Sequence, residues 1–348
     1  MSSFEFTSSG EWLRGSGPES DIVISSRIRL ARNVQGYPFV TRLGSRRRQE
    51  LEDFLGHQIA GLRSRLGLDY QNLKNAPMVD RLLLMERHLI SREHVNTEGD
   101  RGVAFTSEEA VSVMTNEEDH LRIQVLRSGL ELEAAWEVVE RIDEGLGEAV
   151  PYAFDGNLGF LTACPTNVGT GMRVSVMLHL PALVLTRQVQ KVFHAVTKIH
   201  LAVRGLYGEG TMAFGDFYQI SNQITLGRTE REIIQGFKSL VPRIIVYERK
   251  VRERMVDDNK TRLKDTVARA FGILKNAETI SSEETMDLLS KVRLGVNLGL
   301  ISDIRISRVN ELFILTQPAH LQKLEGRDLA PQDRDVVRAG FLRKHLQN

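Results

Sequence analysis

Arginine recurs where an alternating pattern sets it opposite apolar residues. Arg27 and Arg29 lie two apart, on one side of an extended segment, while Ile22, Ile24, Ile28 and Leu30 share the other parity. Arg122 alternates in the same way with Leu121, Ile123 and Val125, and Arg173 with Val174, Val176, Leu178 and Leu180. Arg204 precedes the stretch Gly205-Leu206-Tyr207-Gly208-Glu209-Gly210. A guanidinium offers phosphate oxygens a planar fork of donors and never loses its charge near neutral pH. Five of them held together would clamp a polyphosphate and compensate the charge spreading over its oxygens during transfer. The alternative is that each arginine sits on the solvated face of a half-buried strand.

Acidic side chains gather at Asn116-Glu117-Glu118-Asp119-His120, a polar interruption between two apolar alternations. Carboxylates this close can bind Mg²⁺, or one can acquire a raised pKa and act as a base. An acidic turn is also the ordinary composition of a solvated hairpin loop. Cys164 is the single cysteine and opens Cys164-Pro165-Thr166-Asn167-Val168-Gly169-Thr170-Gly171. Its neighbours can donate hydrogen bonds to a thiolate, or the side chain can be a small buried filler. Glu209 stands among three glycines, on a stretch that reads either as a loop able to close on a ligand or as a plain flexible connection.

These side chains need a scaffold, and the periodicity supplies one. Residues 21–33, 110–126 (broken by the acidic turn), 172–180 and a short segment near 218–225 read as strands. Leu51, Leu55, Ile59, Leu62 and Leu66 share one face of a helix. Residues 186–204 read as an amphipathic helix with Gly205 just past its end. Thr229 and Glu232 form a capping-box pattern that opens a long helix, which Pro242 is expected to kink. Ser281 and Glu284 repeat the pattern before the stripe Met286, Leu289, Val292, Val296 and Leu300. The polar patch 257–260 is the expected boundary between a sheet-and-helix domain, 1–256, and a helical one, 257–348.

Composition narrows the function. The net charge of +1 offers no electrostatic basis for non-specific nucleic-acid binding. No apolar run approaches the roughly 20 residues of a membrane span, and the first residues lack a secretory pattern. One cysteine makes no internal disulfide and no multi-thiolate zinc site, so a cytoplasmic location is expected and no resident metal site is read. There are 11 lysines against 35 arginines, and none between Lys74 and Lys191. A phosphate clamp in that span is therefore built from arginine, with no P-loop lysine available.

Taken in order, Ser26-Arg27-Ile28-Arg29, Asn116-Glu117-Glu118-Asp119-His120-Leu121-Arg122, Cys164-Pro165-Thr166-Asn167-Val168-Gly169-Thr170 and Ile220-Ser221-Asn222 resemble the phosphagen (guanidino) kinases. The resemblance covers roughly residues 21–247. It implies an α+β catalytic domain, an antiparallel sheet flanked by helices, that moves phosphate between ATP and a guanidino nitrogen with Mg²⁺. It places the nucleotide-phosphate arginines at Arg27, Arg29, Arg122, Arg173 and Arg204. The base falls on Glu118, the reactive cysteine on Cys164 and a second substrate carboxylate on Glu209. Met177 stands where creatine kinase-like members carry a histidine, so base recognition is expected to differ there.

The helical domain of roughly a hundred residues that begins those kinases has no counterpart before the first arginine strand, and a smaller helical region follows the catalytic part instead. That layout resembles the bacterial branch of the family that phosphorylates arginine side chains of proteins. An acceptor side without that lid would admit an arginine on a protein. The branch implies a zinc-binding activator protein, delivery of marked proteins to a Clp protease, a heat-shock repressor among the substrates, and a homodimer or higher oligomer. It also implies that Arg334, Asp335 and Arg338 bind phosphoarginine and regulate the enzyme. On a helix Arg334 and Arg338 stack at i and i+4, and Asp335 can pair with Arg338 at i+3. The rival readings are a kinase for free arginine or another small guanidino compound, and a non-catalytic phosphoarginine-binding adaptor.

Overall fold

The computed structural model describes residues 10–205 and 214–347. Glu209 therefore lies outside the described residues. Among them, ten strands form: β1 (Val23–Arg32), β2 (Asp69–Asn72), β3 (Gly102–Phe105), β4 (Val111–Thr115), β5 (Leu121–Ser128), β6 (Phe154–Asp155), β7 (Gly159–Phe160), β8 (Met172–His179), β9 (Leu201–Arg204) and β10 (Phe217–Asn222). Eight join in one antiparallel sheet of order β2-β3-β4-β5-β1-β8-β10-β9, and β6 and β7 make a separate ribbon. The helices of the first part are α1 (Ser45–Gly61), α2 (Arg63–Leu66), α3 (Met78–Glu86), α4 (Arg92–Asn96), α5 (Leu132–Gly147), α6 (Pro181–Leu185) and α7 (Val189–Thr197). They are followed by α8 (Glu230–Asn276), α9 (Ser282–Asn297), α10 (Ile306–Leu315), α11 (Pro318–Glu325) and α12 (Pro331–Leu346).

Strand parity sorts the side chains to two faces. Ile28, Leu30, Leu121, Ile123, Val125, Val174, Val176 and Leu178 are fully buried. They pack against Leu51, Leu55 and Ile59 of α1, Val139 and Ile142 of α5, and Phe237 and Val241 of α8. Burying each such side chain contributes roughly 1.5–3 kcal/mol. The opposite face carries the arginines at one end. At its other end Leu126, Met177 and Phe217, with Ile24 beyond the β1 bulge, join Leu289, Val292, Leu312 and Phe313 in a second core. The C-terminal helices are thus packed onto the same strands that carry the arginines. Arg293 of α9 strengthens the joint: fully buried, it donates to the carbonyls of Ser20 and Asp21 and to His179 Nδ1 and Asn310 Oδ1.

Several local expectations hold. Thr229 and Glu232 make both halves of the capping box that opens α8. Ser281 Oγ accepts from the Glu284 N–H at the start of α9.

Two do not. The segment 186–204 is not one helix: α7 ends near Thr197, His200 takes φ +60°, and 201–204 is an edge strand paired with β10. Arg204 accordingly ends a strand, with Gln219 as its ladder partner. Long-range pairing with β10 overrode an apolar spacing that also suits a helix. Nor is Pro242 the place where α8 leaves helical geometry; that is Asn259, at φ −161° and ψ 75°. Asn259 Oδ1 accepts the Arg262 N–H at 2.9 Å, so a second helix is capped where the first stops. The break falls inside the polar patch 257–260.

Candidate active site

Register brings the arginines together. In the sheet Arg29 is the direct partner of Arg173, Arg27 of Ser175, and Ala31 of Arg122, while Gln219 pairs with Arg204 and Met177. Arg27, Arg29, Arg122, Arg173 and Arg204 line one cleft of about 420 Å³, and Glu117 and Glu118 line it too. Arg27 is steered by its neighbours: Nη2 donates to Gln219 Oε1 at 2.7 Å and Nε to Ser175 Oγ at 3.3 Å.

The charges oppose one another. Burial, then Arg122, Arg173 and Arg204, bring the Arg27 guanidinium down to about 9. Burial and the same kind of crowding, led by Arg122 and Arg27, hold Arg29 well below its ordinary value. A site with this field is complementary to a polyanion. Arg122 differs. Burial works against its charge, but Glu117 beside it, with Glu93 and Glu118, raises its pKa.

The acidic turn joins β4 to β5 and splits two adjacent glutamates into different states. Glu117 is buried; it accepts from Arg122, Ser91 Oγ and the Glu118 N–H. Burial would raise it, yet those donors, Arg122 first, hold it at about 2. The Glu118 side chain takes none of these bonds; only its N–H takes part, donating to Glu117 Oε2. Burial, then the nearby Asp119 and Glu117 carboxylates, push it above the ordinary glutamate range. One carboxylate is thus a fixed anion, and its neighbour is poised to accept a proton.

Cys164 is half-buried and is not among the residues lining the cleft. It is nonetheless tied to the acidic turn. Asp119 Oδ1 accepts from the Ala163 N–H at 2.7 Å and from Asn33 Nδ2 at 2.6 Å, and Asn33 Nδ2 also holds the Leu161 carbonyl. Cys164 Sγ lies 3.0 Å from Thr166 Oγ1. Thr225 Oγ1 donates to the Thr166 and Val168 carbonyls. At Gly169, φ is +113° and a Cβ would meet the Thr225 carbonyl oxygen at 2.7 Å, so only glycine allows the loop to lie this close.

The opposite wall was not legible beforehand. His88 and Ser91 come from the connection between α3 and α4, Arg92 and Glu93 from the first turn of α4, and Gln219 from β10. Ser91, an N-cap whose Oγ accepts from the His94 N–H, carries the one local signal there. His88 takes φ +61° and stands edge-on to Trp12, with ring centroids 4.9 Å apart. Burial, then Arg27, pull its imidazole down to about 3, so it adds no positive charge to the cluster. The C-terminal trio lies elsewhere, on α12. There Asp335 pairs with Arg338, which is buried and also donates to the Thr316 and Ile280 carbonyls.

Crowded, buried like charges cost stability until an anion arrives. Arg29→Met, which keeps the stem and removes the charge, should raise the unfolding temperature of the ligand-free protein. It should also weaken tripolyphosphate or ATP binding by about 10- to 100-fold, the loss of a charge-assisted contact worth roughly 1.5–3 kcal/mol. Thermal unfolding and calorimetric titration check both halves; a variant less stable than the parent would contradict the repulsion.

Residues 50–251 match the family described as "ATP:guanido phosphotransferase, C-terminal catalytic domain", and residues 260–348 match "Protein-arginine kinase McsB C-terminal domain". Curated relatives named protein-arginine kinase include one from Symbiobacterium thermophilum, 48% identical over 343 residues, covering 96% of each chain. Others come from Halothermothrix orenii, 46% identical with 96% of each chain covered, and Bacillus subtilis, 45% identical, covering 96% of this chain and 93% of that one. Among solved structures, a lombricine kinase superposes with a TM-score of 0.61 at 29% identity, over 70% of this chain and 71% of that one. The duplicated taurocyamine kinase from Schistosoma mansoni gives 0.57 at 27% identity, over 70% of this chain and 34% of that one. The chain belongs to the ATP:guanido phosphotransferase family, in the branch that carries the McsB C-terminal domain.

Proposed function

We propose that this ATP-dependent guanidino phosphotransferase acts as a protein-arginine kinase, with Glu118 as the base that activates the acceptor. The observation that carries the mechanism is the cleft itself: five arginines share it with one carboxyl group whose pKa is raised. Support for a protein acceptor comes from relatives of that name matched over nearly their whole length.

A guanidinium nitrogen has no free lone pair until a proton leaves. In the proposed step Glu118 takes that proton, the nitrogen bonds to the γ-phosphorus, and the bond from that phosphorus to the ADP oxygen breaks. The products are phosphoarginine, ADP and the proton on Glu118. Arg27, Arg29, Arg122, Arg173 and Arg204 compensate the charge on the phosphates, and positioning supplies the remainder. Glu117, locked to Arg122, keeps one of those arginines aimed. Glu209 would hold the remaining guanidinium nitrogens in a second carboxylate fork. As a thiolate, Cys164 would add negative charge beside the acceptor.

Mg²⁺ fits this site as a passenger of the nucleotide. Among the described residues no group of three or more His, Cys, Asp or Glu could hold a metal ion, and the arginines repel a bare dication. Mg²⁺ ordinarily binds through substrate phosphates and one or two carboxylates; in the cleft the acidic turn supplies the carboxylates that could complete its shell. When bound, it would neutralise phosphate charge alongside the arginines.

The wider role follows from the family branch. We infer an activating zinc-binding partner, a heat-shock repressor among the substrates, delivery of phosphorylated proteins to a Clp protease, cytoplasmic location and assembly as a dimer or larger. Among the described residues no helix is long and apolar enough to cross a membrane. Co-purification from cells, with and without a catalytically dead Glu118 variant, tests the partners; recovery of none of them from active cells would remove this role.

Glu118→Gln should lower turnover by on the order of 10²–10⁴ with ATP affinity retained, because the amide keeps the shape and loses the base. The parent's activity should fall on acidification as Glu118 gains its proton, at a pH above the ordinary glutamate value. Wild-type turnover in the variant removes Glu118 from the role. The same assay, run with ATP and either free arginine or an arginine-rich protein and read for acid-labile P–N phosphate, separates the rivals. Transfer to free arginine alone favours a small-substrate kinase, and transfer to neither favours an adaptor. Cys164→Ser should lower turnover more than ATP affinity; an unchanged rate makes Cys164 a packing residue. For regulation, Asp335→Ala should lose calorimetric binding of phosphoarginine. Equal affinity in both proteins removes the α12 site, and lost affinity with unchanged activity removes the regulation.

A further inference from the structure

The turn that carries Glu117, Glu118 and Asp119 begins in a conformation most residues avoid. Asn116 takes φ +52°, and its N–H and the His120 carbonyl close the turn at 3.0 Å. Left-handed backbone costs a non-glycine residue roughly 1 kcal/mol or more, so something must hold it. The side chain of Asn116, fully buried, is the handle. Its Nδ2 donates to the Arg48 carbonyl at 3.2 Å, to the Asp100 carbonyl at 3.2 Å and to Glu52 Oε2 at 3.0 Å.

Glu52 is the charged member of that set, and it is 1% exposed. Its other oxygen accepts from Thr115 Oγ1 at 2.6 Å and from the Tyr70 hydroxyl. The carboxylate thus ties α1, β2 and the end of β4 to the first residue of the turn. The surroundings are shaped around it. A Cβ on Gly102 would meet the Tyr70 hydroxyl at 2.4 Å and Glu52 Oε1 at 2.7 Å. Burial raises the Glu52 pKa, against the Thr115 and Tyr70 bonds that lower it. Glu52 does not line the cleft.

We propose that Glu52 is a positioning residue for phosphoryl transfer: by holding Asn116 Nδ2 it sets the acidic turn, and hence where the Glu118 carboxylate stands relative to the acceptor nitrogen. This rests on Glu118 being the base. The chemistry at Glu52 is specific to a carboxylate. Three donors converge on its two oxygens, and an amide in its place would either turn its NH₂ group against Asn116 Nδ2 or oblige the Thr115 and Tyr70 hydroxyls to reverse and accept. Asn116 cannot simply flip, because its Nδ2 is also committed to two carbonyls.

The test uses the full-length protein and three substitutions on the network. Glu52→Gln should reduce kcat by about 10- to 100-fold, the scale of a displaced catalytic group, with ATP affinity unchanged and the acid limb of the kcat profile moved. Asn116→Gly suits the left-handed backbone and deletes the tether, so it should show the same kcat loss even where Glu52→Gln folds poorly. Tyr70→Phe removes a donor to the same carboxylate but not the link to Asn116. It should lower the unfolding temperature and leave kcat intact. In the Glu52→Gln/Asn116→Gly double variant the losses should not add, because both break one link. Wild-type kcat and pH profile in Asn116→Gly overturn the proposal. So does an equal kcat loss in Tyr70→Phe, which would mark general packing, or full additivity in the double variant. Glu118→Gln assayed in parallel keeps the two readings apart: wild-type turnover there overturns the base, whereas the tether is judged on the other variants.

Discussion

Five guanidinium groups on one face of a β-sheet repel one another, and the architecture is arranged to hold them despite it. Arg27 and Arg29 are both depressed by burial and by their arginine neighbours. Antiparallel pairing makes Arg29 and Arg173 direct neighbours across β1 and β8. Backbone ladders bear that repulsion because the reverse face of the same strands is a continuous apolar core. Charge that is costly in the empty cleft becomes pre-organised attraction once phosphate oxygens occupy it.

Against that field the acidic turn introduces two carboxylates that environment makes unlike. Glu117 faces donors and stays an anion, whereas Glu118 faces carboxylates and a desolvated wall. The distinction does not come from the residues themselves, which are chemically identical neighbours. It comes from the turn's geometry, and that geometry is set from behind by Asn116 and by Asp119, which clasps Asn33 and Ala163. His120 adds a third clasp: its Nδ1 accepts from the Val34 N–H at 2.9 Å and its Nε2 reaches the Pro38 carbonyl at 2.9 Å.

Much of this was legible in the residues, for reasons of range. Alternation within one strand is a local signal, so the arginine faces of β1, β5 and β8 and the Thr229–Glu232 cap could be read directly. That these faces meet in one cleft depends on strand register, which no local window contains. Residues 201–204 carried an apolar spacing compatible with helix, and only pairing with β10 makes them a strand. His88 and Asn116 adopt left-handed backbone with no glycine to announce it. Arg338, expected to bind phosphoarginine, is buried, with its guanidinium donating to the Thr316 carbonyl just past α10, a packing that no local window shows.

The two-faced strands leave this enzyme little freedom to change length. Because side chains alternate with a period of two, one inserted or deleted residue within β1, β5 or β8 would turn arginines into the apolar core and leucines into the cleft. Fold and chemistry would then be lost in the same event, so neither can be kept while the other is explored. Point substitutions can drift along these strands over evolutionary time, but insertions and deletions are confined to the connections. Divergence in substrate preference across such a lineage must therefore be written in its loops and its appended helices, around strands whose lengths stand still.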